Sequence, residues 1–236
     1  MNISYYNSYQ SMSAHASAIV ISEIKKKRNA LLCAATGNSP TGLYANLASE
    51  AESNSSLFAD LKILKLDEWG GVPYNHSVTC EYYLRNNLID PLKISSDRYI
   101  SFASNPADPL KECKRVEEEI IARGSIDICV LGLGKNGHLG FNEPSHTLEP
   151  FCHIAQLSEQ SLQHDMVSSL AEKPKYGLTL GLRNILSSKK IILLIAGSDK
   201  GSVIEELLTK RISTNLPASM LWLHQNVECL IDQKAL

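Results

Sequence analysis

"IDICVLGLGKNGHLGFNEP", residues 126–144, decides the fold. A near-continuous apolar run ends in Gly132, Gly134 and Gly137, the spacing G-x-G-x-x-G. After a strand, that spacing opens a dinucleotide-binding helix only if a helix starts at the glycines. None should start here. Pro144 and Pro150 interrupt the chain, and "NEPSHTLEP" (142–150) has no helical apolar period, although Glu159 lies at a tempting distance for a ribose-binding acid. The stretch reads instead as a buried strand followed by an irregular turn, bent at Gly132 and Gly134, that presents Asn136, His138 and Glu143 close together. A histidine beside a carboxylate and an amide suits proton transfer near neutral pH.

Outward from this strand the rhythm repeats. "ALLCAAT" (30–36), "LKILKLDEW" (61–69) and "KIILLIAG" (190–197) are further apolar runs, as expected for strands buried on both faces. "RYISF" (98–102), "CHIAQL" (152–157), "SMLWLH" (219–224) and "VECLI" (227–231) are candidate strands. Helices are expected near 10–27, 40–53, 77–89, 107–123, 158–170 and 199–209. Alternation of this kind predicts an α/β fold: a Rossmann-like, doubly wound, mainly parallel sheet with helices on both faces. With no internal repeat or linker, residues 1–236 read as one domain.

Composition narrows the function. The 236 residues are 44% hydrophobic and 20% charged, with a net charge of −2. No basic field points to nucleic acid, and no apolar run is long enough for a membrane span. The single basic run, Lys25-Lys26-Lys27-Arg28, reads as a solvated helix end. The N-terminus lacks the pattern of a secretory signal, and six scattered cysteines without a C-x-x-C pair fit a reduced, cytoplasmic protein. His138, His146 and His153 lack a zinc-type spacing, so no metal is expected, and no G-x-S-x-G elbow marks a serine nucleophile.

Ligands of such sheets bind at the carboxyl ends of the strands. Four of these ends carry unusual residues. "TGNSPTG" (36–42) has Thr36 at a strand end, Gly37 for a turn, Asn38, then Ser39 as N-cap and Pro40 as first helical residue. Such a junction can cradle phosphate, and it can equally be an ordinary capped turn. In "KLDEWGG" (65–71), Asp67 at a strand end could act as a base or cap a turn; Glu68 should point to the opposite face. In "AGSDKG" (196–201), Lys200 falls in a first helical turn, where a cation is unfavourable unless an anion lies beside it.

"TGNSPTG", "LDEW", "GLGKNGHLGFNEP" and "GSDK", in this order, resemble the amino-sugar-phosphate isomerase/deaminase family, from about residue 30 to the C-terminus. Glucosamine-6-phosphate deaminase belongs to it, and 6-phosphogluconolactonase shares its fold but lacks the Asn-Glu-Pro after the histidine. "TCEYYL", "CHIAQL", "GLTLGL" and "PASMLWLH" resemble the galactosamine-6-phosphate branch. Where glucosamine deaminases carry an aspartate, two residues before the histidine, this chain has Asn136, which can orient His138 but supplies no charge. The segment that brings a phosphate-gripping arginine in those enzymes is shorter here.

The resemblance implies that Thr36, Gly37, Asn38, Ser39 and Lys200 hold a sugar phosphate. It implies that His138 opens the pyranose ring, that Glu143 orients His138, and that Asp67 moves a proton from C2 to C1. The products would be ammonia and a ketose phosphate, with no cofactor and no metal. The expected substrate is galactosamine 6-phosphate, giving tagatose 6-phosphate. The glucosamine epimer, a lactonase and a non-catalytic sugar-phosphate sensor are the alternatives. The expected partner is thus a small phosphorylated amino sugar, and the sequence is compatible with a homo-oligomer.

Overall fold

A computed structural model describes residues 1–236. The strands are β1 (Asn2–Tyr6), β2 (Leu31–Ala34), β3 (Lys62–Lys65), β4 (Asp67–Gly70), β5 (Tyr99–Ile100), β6 (Ile128–Gly132), β7 (His153–Ala155), β8 (Tyr176–Thr179), β9 (Lys190–Ile195) and β10 (Val227–Asp232). The α-helices are α1 (Tyr9–Lys26), α2 (Asn38–Ser53), α3 (Cys80–Leu84), α4 (Pro109–Arg123), α5 (Glu159–Leu162), α6 (Leu182–Leu186) and α7 (Gly201–Leu208).

Seven strands form one sheet in the order β1-β10-β9-β6-β2-β3-β5, every neighbouring pair parallel. Its strands are apolar on both faces because both faces are covered. Leu31 and Cys33 join one buried cluster, with Cys113, Val116 and Ile120 of α4 and Val203, Ile204 and Leu207 of α7. The alternate residues Leu32 and Ala34 join another, with Met12, Ala16, Val20 and Ile24 of α1 and Leu43, Tyr44 and Leu47 of α2. Each fully buried leucine or isoleucine contributes about 1.5–3 kcal/mol of transfer free energy, so the two clusters hold the sheet between its helix layers. The expected doubly wound α/β architecture is therefore observed.

Local signals set the helix limits. Asp108 caps α4 by accepting from the Leu110 and Lys111 N–H groups, Pro109 takes the first helical position, and Gly124 (φ 87°) follows its last residue. The basic run closes α1 at Lys26. Lys26 pairs with Glu23 at 2.9 Å and Lys27 with Asp127 at 2.7 Å.

Several sequence expectations are corrected. The N-terminal residues contribute an edge strand, β1, before the first helix. "SMLWLH" lies mostly in a 3-10 helix, Pro217–Leu223, started by its proline. The expected helix over 158–170 is only the single turn α5. The expected helix over 77–89 is α3 followed by a π-helical turn, Arg85–Ile89.

The expected strand 61–69 is two strands in different sheets. Leu66 is the switch point: its N–H donates to Ala34 O of β2 at 3.1 Å, while its carbonyl accepts from Leu180 N at 3.0 Å. Beyond it, β4 pairs antiparallel with β8, and β8 with β7, in a three-stranded sheet. Asp67 thus opens a strand of the small sheet rather than ending one of the large sheet. It still lies at the carboxyl end of β3.

Candidate active site

A cavity of about 440 Å³ opens at the carboxyl ends of β2, β3, β6 and β9. Thr36–Ser39, Asp67, Trp69, Gly134, Lys135, His138, Gly197, Ser198 and Lys200 line it, joined by Gln160, Ser161 and Gln163–Asp165. All nine residues expected at the site reach it except Asn136 and Glu143, which stand behind His138.

The His138 loop is pinned before it is functional. Asn142 Nδ2 donates to Leu139 O and Leu180 O, each at 2.8 Å, and Phe141 N–H donates to Thr179 Oγ1. The bends fall at Gly137 (φ 83°) and Gly140 (φ 59°), not at Gly132 and Gly134 as the sequence suggested. Gly134 has a different reason. A Cβ there would lie 2.4 to 2.5 Å from atoms of the His138 ring, so only glycine lets the imidazole lie against this backbone.

Behind the ring, His138 Nδ1 is 2.7 Å from Asn136 Oδ1, and Asn136 Nδ2 donates to Glu143 Oε2 at 2.9 Å. An amide oxygen only accepts, so Nδ1 carries the proton in the neutral ring and Nε2 is left as the base. Glu143 is 3.5 Å from Nδ1 and also accepts from Ser158 Oγ at 3.0 Å and from Ser161 Oγ. Burial alone would raise its carboxyl; His138, then Ser161 and Asn136, overcome this and hold it at about 2.

Asp67 and Glu68 point apart, as the strand alternation requires. Glu68 sits in a buried network. It accepts from Lys65 Nζ at 2.7 Å and from the N–H groups of Trp69, Cys80 and Glu81, while Lys65 also binds Glu81 at 3.0 Å. Asp67 is only 7% exposed, and its Oδ1 has no partner. Burial, reinforced by the Glu68 charge, pushes the Asp67 carboxyl up to about 7, against the opposing pull of Lys65 and Cys80. A buried carboxylate left under-bonded in a cavity is a candidate general base.

Two helix-opening junctions also line the cavity. Gly37 (φ 102°), not Ser39, is the N-cap of α2, and no side chain caps that helix. Its first N–H groups remain free for an acceptor. Hydroxyls brace the turn from behind: Thr41 and Tyr83 donate to Gly37 O, and Tyr9 to Asn38 O. Lys200 is the N-cap residue of α7 rather than a residue of its first turn, after a sharp turn with positive φ at Gly197 and Asp199. It forms no ion pair, and burial, with Lys135 nearby, pushes its ammonium down to about 8. An anion in the cavity would relieve that strain. No arginine lines the cavity.

Sequence reasoning missed Trp69 and the 158–165 segment. The Trp69 indole N–H is buried without a partner, and its ring lies 4.5 Å from Phe141. The polar cluster "SEQSLQHD" (158–165) was the available signal, and it has no periodicity to distinguish it from a surface loop. No three histidine, cysteine, aspartate or glutamate side chains gather as metal ligands. No helix is long and apolar enough to cross a membrane.

Strand-end cavity, imidazole–amide–carboxylate line and isolated buried carboxylate together define a candidate active site on an α/β sheet. Residues 7–231 match the family model for glucosamine-6-phosphate isomerases/6-phosphogluconolactonase, and the chain belongs to that family. It is 41% identical to the protein named Putative deaminase AgaI of Escherichia coli (strain K12), over 95% of this chain and 89% of that one. It is 34% identical to a glucosamine-6-phosphate deaminase of Clostridium botulinum (strain Okra / Type B1), over 100% and 97%. A solved monomeric glucosamine-6-phosphate deaminase of the NagB superfamily superposes with a TM-score of 0.92 at 34% identity, over 99% and 98% of the two chains. The 6-phosphogluconolactonase of Trypanosoma brucei shares the fold, with a TM-score of 0.76 at 18% identity, over 99% and 96%.

Proposed function

We propose that this enzyme isomerises and deaminates galactosamine 6-phosphate, consuming water and releasing ammonia and tagatose 6-phosphate. The observation that carries this reading is Asp67: a buried carboxylate with a pKa of about 7, in the same cavity as a histidine whose Nε2 is free. Binding a sugar phosphate needs neither group. Hydrolysing a lactone needs no base at a carbon.

The chemistry follows from the groups. The free N–H groups of α2, Thr36, Asn38, Ser39 and Lys200 hold the phosphate and fix the sugar. His138 Nε2 takes the proton from the O1 hydroxyl and returns it to the ring oxygen, opening the pyranose. Asp67 removes the C2 proton, giving an enolamine, and delivers a proton to C1. Water adds to the resulting C2 iminium, and ammonia leaves. Positioned acids and bases contribute about 10²- to 10⁴-fold each.

Asn136, in place of the aspartate of glucosamine deaminases, supports the galacto epimer. The glucosamine epimer is the second reading, supported by the full-length relatives named for it. The test is ammonia release from the two epimers. A higher kcat/KM on galactosamine 6-phosphate is expected, since a site that hydrogen-bonds one hydroxyl position discriminates strongly. A higher value on glucosamine 6-phosphate overturns the epimer assignment. Ammonia from neither, with rapid lactone hydrolysis, overturns the reaction.

A further inference from the structure

The cavity's anion end has one lysine without an ion-pair partner and no arginine, yet a phosphate monoester carries nearly two charges at neutral pH. One more donor reaches this end. A Cβ on Gly37 would lie 3.7 Å from His164 Nε2, so the imidazole sits over the turn that opens α2. The other ring nitrogen is occupied: His164 Nδ1 accepts from Met166 N–H at 3.3 Å. A neutral ring that accepts at Nδ1 carries its proton on Nε2. The nitrogen over Gly37 is therefore an N–H donor whether or not the ring is charged.

His164 is also tied to the catalytic line. Its N–H donates to Ser161 O at 3.1 Å. Ser161 Oγ and Ser158 Oγ both donate to Glu143 Oε1, and Glu143 is joined through Asn136 to His138. Seven residues, Ser158 to His164, thus run from the carboxylate behind the catalytic histidine to the mouth of the phosphate turn. Asp165, next in sequence, is 3.4 Å from Asn38 Nδ2, so the segment already rests on that turn.

We propose that His164 is a recognition residue for the 6-phosphate dianion, donating from Nε2 above Gly37, and that its contact holds Ser158 and Ser161 on Glu143, making the alignment of His138 depend on the phosphate. This rests on the sugar-phosphate reading of the cavity. It separates the two anion contacts by effect. Lys200 supplies uniform binding, whereas His164 turns remote binding energy into alignment at the reacting carbons.

The experiment has two arms. Calorimetric titration of the whole protein with inorganic phosphate needs no activity. His164→Ala should weaken phosphate binding about 10- to 100-fold, the scale of one hydrogen bond to a charged group, and His164→Gln, which restores an N–H donor, should recover part of it. Unchanged phosphate affinity in His164→Ala overturns the proposal. In the kinetic arm, preference for the phosphorylated over the unphosphorylated amino sugar should fall about 10- to 100-fold in His164→Ala, with kcat reduced as well as KM raised. An unaltered preference, or a rise in KM with kcat kept, overturns the alignment role. If the parent protein releases no ammonia from either epimer, the functional reading fails, and the calorimetry still decides whether His164 holds phosphate.

Discussion

Asn136 stands between His138 and Glu143, its Oδ1 2.7 Å from the imidazole Nδ1 and its Nδ2 2.9 Å from the carboxylate. The amide relays orientation without adding charge. It fixes the tautomer from one end and receives the pull of Glu143 at the other. Asn136→Ala should lower kcat about 10- to 100-fold with KM within about threefold, because it removes an interaction used in the reaction rather than in binding. Asn136→Asp keeps an oxygen facing Nδ1 and should retain more of kcat than Asn136→Ala; equal losses in the two variants would show that this side chain does not orient the ring.

The two glycines that begin the loop should behave differently. Neither has a positive φ, so alanine is allowed by the backbone at both. At Gly132 the new Cβ would meet Ser39 at 3.8 Å, an ordinary contact, whereas at Gly134 it would overlap the His138 ring. Gly134→Ala should lose at least about 100-fold in kcat, the contribution of one positioned acid–base group. Gly132→Ala should stay within about threefold. Circular dichroism should show both folded.

Asp67 links activity to stability. In the proposed role of base it must be ionised, so kcat/KM should rise with pH through about 7. Glu68→Gln removes a charge that raises this pKa, and should move the rising limb to lower pH. It should also cost about 3 kcal/mol of stability, since the fully buried Lys65 loses one of its two carboxylates. For Asp67 itself, the folded pKa lies above the unfolded value of 3.8. Between pH 4 and 7 the native state keeps a proton that the unfolded chain has released, so stability falls as pH rises, and the penalty is complete above 7. Asp67→Asn should therefore raise Tm at pH 8 by relieving up to about 4 kcal/mol, and change it little at pH 4. Equal shifts at both pH values would contradict the raised pKa.

Lys200 should act on binding alone. Lys200→Ala should raise KM at least about 10-fold and leave kcat within about threefold, since phosphate is remote from the reacting carbons. With an ammonium near 8, KM in the parent should climb above pH 8 as the charge is lost. Binding should also take up protons at pH 8, measurable as a dependence of the binding enthalpy on the buffer.

The sheet was legible because β2, β6, β9 and β10 are short apolar runs between amphipathic segments, a pattern that burial on both faces imposes. β1 was not, because "NISYY" is a polar edge strand paired only with β10. The break at Leu66 was hidden for a physical reason: hydrophobicity continues across it while hydrogen bonding changes sheets. Asp67, His138 and Lys200 were legible as polar residues at strand ends. Glu68 was expected only to point to the face opposite Asp67, and the fold alone makes it part of a buried network with Lys65 and Glu81. His164 lacked any periodic or motif context. Its place over Gly37 is a long-range contact, and local patterns do not encode such contacts.

The central claim is that Asp67 moves the proton between C1 and C2, and isotope exchange in deuterated water tests it most directly. Tagatose 6-phosphate and ammonium are incubated with the protein, and the amino sugar formed is examined by NMR. The parent should place deuterium at C2. Asp67→Asn should place none, and should release no ammonia in the forward direction. It should still bind inorganic phosphate, since Lys200 and the α2 turn are untouched. Deuterium at C2 from the Asp67→Asn variant at the parent's rate would contradict the account and move the base to another residue.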